Sequence, residues 1–139
     1  MIRLLATLAT CLACLDAAAA PLRVDHPLIG TWEVRLPNGC VERMTVLQNG
    51  HALAVSGAET DESEADIADQ PDAHGLYKWR DKILSNNGKA DCGGQHTPVG
   101  DVSTVYIRMD KSGDRYVVCF GDAGVDQCVG PYIRQRLPR

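Results

Sequence analysis

The residues able to do chemistry in this chain are a run of acids, four histidines and four cysteines beyond residue 20. The run is ETDESEADIADQPD, residues 59–72, with seven carboxylates and no basic side chain. Carboxylate oxygens at that density suit calcium, which takes six to eight oxygen ligands. The EF-hand spacing fails, however. Counting from Asp61, the third and fifth positions are Ser63 and Ala65, and no glycine follows for the sharp turn. A non-EF set of Asp66, Asp69 and Asp72 is the remaining cation reading, and we expect no metal. The leading expectation is a solvated insertion with one helical turn. Asp61 would cap it, Glu64 would complete a capping box, and Pro71 would end it. A third reading makes the run a contact surface for a basic partner. Glu62, Glu64 and Asp66 would do the contacting, and Ile67 would be the apolar anchor.

His26, His51, His74 and His96 show no second histidine at ligand spacing, so each is expected on a loop or the surface. The chain has no G-x-S-x-G, H-E-x-x-H or P-loop sequence. His96 lies in DCGGQHTPVGD (91–101), near Cys92 and Ser103. A cysteine in a disulfide is no nucleophile, and Ser103 has no recognisable context. A protein that is not an enzyme, with no cofactor, is the expectation.

The cysteines speak about compartment. Residues 1–19 read as a secretory leader: Arg3, an apolar run from Leu4 to Leu15, then alanines with an A-x-A cut. The run is short of the roughly 20 apolar residues that a membrane span needs. LATC (8–11) resembles a lipobox only loosely. Cleavage removes Cys11 and Cys14 and leaves Cys40, Cys92, Cys119 and Cys128. An even set in an exported chain implies two disulfides, with three connectivities open. Cys119 and Cys128 flank FGDAGVDQ, which a hairpin would close, so the expected pairs are Cys119–Cys128 and Cys40–Cys92. Zinc would want C-x2–4-C spacing, which the four cysteines lack. The expected compartment is the periplasm or the exterior.

The net charge is −4, which gives no general attraction to nucleic acid. Its distribution matters more. After the leader, 13 Lys and Arg face 17 acids; without 59–72 the acids fall to 10, so the body is about +3 and the segment −7.

The elements that must position these residues are strands. PNG (37–39), QNG (48–50), SNNG (85–88) and KSGD (111–114) are turn signals. Between them, segments rich in Val, Thr, Ile and Tyr predict strands near 31–36, 41–48, 51–57, 75–80, 82–86, 102–109, 115–120 and 127–136. Val105, Ile107 and Met109 share one face of their strand; Thr104, Tyr106 and Arg108 share the other. Short strands at regular spacing without helices imply a sandwich or barrel. Residues 20–139 form one domain with 59–72 as an insertion.

Gly30-Thr31-Trp32 opens the first strand, and Arg134, in GPYIRQR (130–136), lies on the last. A G-x-W opening an eight-strand meander, with an arginine on the closing strand, resembles the lipocalin-like (calycin) family. That resemblance implies an all-β, small eight-stranded antiparallel up-and-down barrel, here with two disulfides. It also implies that Trp32 closes one end while Arg134, or Arg136 after a register slip, packs over the indole. In size the chain is closest to the small bacterial lipocalin-like protease inhibitors, though richer in cysteine.

Two functions follow. One is a non-enzymatic inhibitor or immunity-type protein that meets a basic protein surface through 59–72. The other is a carrier of a small apolar ligand, since eight strands enclose just enough room for one. Its expected liners are Tyr77, Trp79, Tyr106 and Tyr116. Neither nucleic acid nor a membrane span enters either reading.

Overall fold

A computed structural model describes residues 19–121 and 127–136. The leader, apart from Ala19, and most of the FGDAGVDQ loop lie outside the described residues. Eight antiparallel strands follow one another around a closed barrel: β1 (Gly30–Arg35), β2 (Val41–Val46), β3 (His51–Ser56), β4 (Glu59–Ile67), β5 (Leu76–Asn86), β6 (Val102–Met109), β7 (Arg115–Cys119) and β8 (Cys128–Gln135). Each strand pairs with its neighbour in sequence, and β8 closes on β1 through Trp32↔Arg134. The described residues contain no helix.

The strand count agrees with expectation, but two assignments change. The acidic run is not a solvated insertion with a helical turn: Glu59–Ile67 is strand β4. Gly57 and Ala58 form the two-residue turn that leads into it, with Gly57 at φ +61°, a backbone state glycine adopts without a Cβ penalty. In turn, 75–80 and 82–86 are one continuous strand, β5. The register slips there, with Glu62 opposite Ser85 and Ser63 opposite Ile83, so Leu84 is the extra residue of a bulge.

Alternation along the strands sends one residue set inward, and that set changes character along the barrel axis. On β4 it runs Glu59, Asp61, Ser63, Ala65, Ile67; on β2 it runs Glu42, Met44, Val46. At the apolar end the core gathers Leu22, Leu28, Trp32, Val46, Ile67 and Ile107. Residues 19–29 plug this end. Leu22 N donates to Gln48 O (2.8 Å), and Trp32 Nε1 donates to Leu28 O (2.9 Å).

Arg134 seals the same end. Its guanidinium lies 4.1 Å over the Trp32 ring and donates to the carbonyls of Pro27 (2.6 Å), Ile29 (2.9 Å) and Gly113 (3.1 Å). The φ of Gly30, +133°, is one that side-chain-bearing residues rarely adopt. A Cβ there would also stand 2.9 Å from Arg134 Nη1. The glycine of G-x-W is therefore required twice, by its backbone and by the arginine above it. Arg136 instead reaches Asp114 at the surface.

Both disulfides pair as expected. Cys119–Cys128 closes the β7–β8 turn, and Cys40–Cys92 ties the β1–β2 turn to the long β5–β6 connection, 87–101. That connection lies along the rim opposite the plug. There Cys92 N donates to Ser56 Oγ, and Thr97 N to Glu59 Oε1.

Candidate functional site, the open end of the barrel

Because the plug fills one end, the remaining interior space lies toward the other. A cavity of about 160 Å³ sits there. Met44, Trp79, Val105, Ile107, Tyr116 and Tyr132 supply its apolar walls, with Asp81 and Ser103 as its polar groups. A second hollow of about 170 Å³ adjoins it at the rim and shares Met44 and Tyr132; Glu42, Ser56 and Glu59 are among its walls. Ligand sites of drug size usually measure about 300–1,000 Å³, so this space suits a smaller guest. A broader concavity, about 530 Å³, lies outside the barrel over the β6–β7 hairpin beside Arg108, Lys111 and Arg115. It is more open to solvent than the interior hollow and would cover a small molecule less, so the interior hollow is the better candidate despite its size.

An aromatic column runs up the interior. Trp32 meets Tyr116 edge-on at 4.7 Å, and Tyr116 stacks on Tyr132 at 5.0 Å. Tyr132 then donates its hydroxyl to Glu42 Oε2 (2.8 Å). Burial raises the hydroxyl pKa values of Tyr116 and Tyr132, with Glu42 adding to the effect on Tyr132, so both phenols are neutral donors at physiological pH.

Four carboxylates face inward at the open end. Glu42 accepts from Ser56 Oγ (2.9 Å) as well as Tyr132. Glu59, only 3% exposed, accepts from Asn86 Nδ2 (2.7 Å) and Thr97 N (3.2 Å). Asp81 accepts from Ser63 Oγ (2.7 Å) and Trp79 Nε1 (3.1 Å). Burial raises the Asp81 pKa against the pull of those two bonds. Asp61 accepts no hydrogen bond among the described residues. Burial first, then the charges of Glu59 and Asp81, raise it from 3.8 to about 6. No salt bridge joins any of the four to a base among the described residues; Arg43, at the rim, is held outward by Glu33 at 2.8 Å.

The other acids of the run have separate places. Glu62, Glu64 and Asp66 alternate onto the outer face of β4. There Glu64 stands opposite Lys82 and Asp66 opposite Arg80, while Glu62 pairs with His51 Nδ1 at 2.7 Å. Ile67 is not on that face: it is 6% exposed and lies in the core, because its position in the alternation points it inward. Asp69 lies 3.7 Å from Arg23. Asp72 braces the β4–β5 turn by accepting from His74 N and Leu76 N, bonds that lower its pKa. Asp66, Asp69 and Asp72 thus do not converge, and no metal-holding group of three or more His, Cys, Asp or Glu gathers among the described residues.

Of the four expected liners, Trp79 and Tyr116 face the cavity. Tyr77 is half-buried near the plug, 5.4 Å from His26. Tyr106 points outward, since the neighbours Val105 and Ile107 take the inner face. His26 also departs from expectation. It is buried, bonded to Ala68 O and Leu28 N, and it joins the plug to the β4–β5 loop. Tyr132, Asp61, Asp81 and Glu42 carry no sequence motif. Only the alternation of each strand, once its register is known, could have selected them.

No family model, curated protein or solved structure matches this chain. The closed eight-strand antiparallel barrel is consistent with a lipocalin-like fold. The two disulfides fit an oxidising, extracytoplasmic compartment. No helix among the described residues is long and apolar enough to cross a membrane.

Proposed function

We propose that this chain is an exported lipocalin-like barrel that takes a small molecule into its open end and holds it without chemical change. The observation that carries this reading is the cavity between Trp79, Tyr116 and Tyr132, a concave, aromatic, partly apolar space on a rigid, stapled wall. Residues 1–19 serve as its leader to the periplasm or exterior. The test is native mass spectrometry of the protein taken gently from its own cell envelope. A retained small mass, lost in Val118→Trp, is the expected result. A chain that carries no small mass and shows no Trp79 fluorescence response to any small-molecule library would overturn the reading.

A second reading keeps the protein-binding role. Leu53 and Val55 stand 42% and 41% exposed on the outer face of β3, and Glu62 lies directly across from Leu53. Apolar side chains bordered by Glu62, with Glu64 further along the same face of β4, would suit a partner with a basic rim, as an inhibitor or immunity-type protein requires. A second polypeptide at stoichiometric mass, released by Leu53→Asp, is the result that favours this alternative.

A further inference from the structure

The cavity has a polarity that bears on its guest. Its deep walls are aromatic and aliphatic, while Asp81 and Ser103 provide its polar side. Asp61 is the next inward residue before Ser63, whose hydroxyl is bonded to Asp81, but of the two aspartates only Asp81 lines the cavity. Toward the rim come Glu59 and Glu42. This half of the interior therefore holds four acids, and no base forms a salt bridge with any of them among the described residues. Carboxylates withdrawn from water without a partner are costly. A guest that brought one positive charge would relieve that cost; an anion would add to it.

The kind of cation follows from the same geometry. The acids are spread along the wall, with no cluster of three fit for a metal ion. Both hydrogen bonds that Asp81 accepts, from Ser63 Oγ and Trp79 Nε1, fall on Oδ1, so among the described residues its Oδ2 is the open acceptor of the cavity wall, with Ser103 across from it on β6. An ammonium with three donors on an apolar body matches this set. Trp79, Tyr116 and Tyr132 offer ring faces beside it, and such faces attract a cation when water is excluded.

We propose that the barrel interior is a receptor for a small organic ammonium, its charged head at Asp81 beside Ser103 and its apolar body against Trp79, Tyr116 and Tyr132. The inference rests on the interior ligand site proposed above and adds the ligand's class. The volume of about 160 Å³ limits the body to about the size of one aromatic ring with a short chain, given roughly 30 Å³ for each displaced water.

Three near-isosteric probes test it, read by intrinsic tryptophan fluorescence and calorimetry at pH 7.5: phenethylammonium, 2-phenylethanol and 3-phenylpropionate. The expected order is cation, then neutral, then anion, with the cation at least 10-fold tighter than the alcohol. Asp81→Asn should bring the ammonium to within about 3-fold of the alcohol, whereas Asp61→Asn, outside the cavity lining, should leave the preference for the ammonium in place. Both replacements keep the side-chain shape, and an unchanged or raised unfolding midpoint shows that the barrel stands. Equal binding of ammonium and alcohol would overturn the charge inference yet leave the interior site intact. No binding of any probe by the folded protein would overturn both. Undiminished ammonium binding in Asp81→Asn would place the cation elsewhere and overturn the assignment.

Discussion

Replacing Asp61 by asparagine should make the protein more stable at neutral pH, and the gain should disappear in acid. The Asp61 carboxyl holds its proton up to about pH 6 in the folded state, against 3.8 in the unfolded chain. Below 3.8 both states are protonated and Asp61 costs nothing. As pH rises from 3.8 to 6, the unfolded state releases its proton first, so stability falls. Above 6 the cost is complete. A shift of about two units at 1.36 kcal/mol each gives a limit of about 3 kcal/mol. Asp61 is only half-withdrawn from solvent, so screening brings the expected gain of Asp61→Asn down to about 1.5 kcal/mol. In a domain of this size that is roughly 5 °C in Tm. The assay is urea unfolding of both proteins at pH 3.5, 4.5, 5.5 and 7. The difference should be near zero at the first and at its plateau by the last. An asparagine variant that is less stable at pH 7, or whose advantage is the same at every pH, would refute the reasoning.

Other perturbations probe the sealed end and the staples. Arg134→Lys keeps the charge but loses the planar fork that reaches three carbonyls and covers Trp32; a loss of about 2–3 kcal/mol in denaturant unfolding is expected, with little change in ligand binding. Gly30→Ala must strain the backbone and displace Arg134, so thermal unfolding should show a loss of about 2 kcal/mol or more, reduced to its backbone part when Arg134 is already replaced by Ala. The Cys40–Cys92 bridge spans 52 residues, and chain-entropy reasoning gives it about 4 kcal/mol against about 2.5 for Cys119–Cys128, which spans 9; paired serine variants should rank in that order by chemical denaturation. Val118→Trp places an indole in the cavity, and it should abolish any Trp79 response to ligand while the far-ultraviolet dichroism keeps its strand signature.

The all-β class, the strand count and the Cys119–Cys128 bridge were legible because their signals are local: Asn-Gly turns, alternation in VSTVYIRM, and cysteines flanking a short loop; Cys40–Cys92, 52 residues apart, followed as the remaining pair, and closure into a barrel came with the family resemblance. Trp32 and Arg134 were legible only through a family resemblance. The acidic run misled for a definite reason. Strand reading looks for apolar residues at every second position, but the inward set of β4 begins Glu59, Asp61, Ser63 and becomes apolar only at Ala65 and Ile67. The outward set is acidic as well, answered by Lys82 and Arg80 on the next strand. With both faces polar, neither period stood out. The charged run Arg80-Asp81-Lys82 hid the continuity of β5 in the same way, since it interrupts the apolar alternation midway and makes one strand look like two. The candidate site suffered most. Its acids come from β2, β4 and β5, and only the closed register brings them together.

The plug has a consequence for how the molecule is held. Residues 19–29 and the end of β8 both lie at the Trp32 end, beside the β2–β3 and β6–β7 turns. The polypeptide therefore arrives and departs through the floor of the vessel. A tether attached at residue 19 or 136 would meet the vessel at its floor, on the side away from the acids and the aromatic walls.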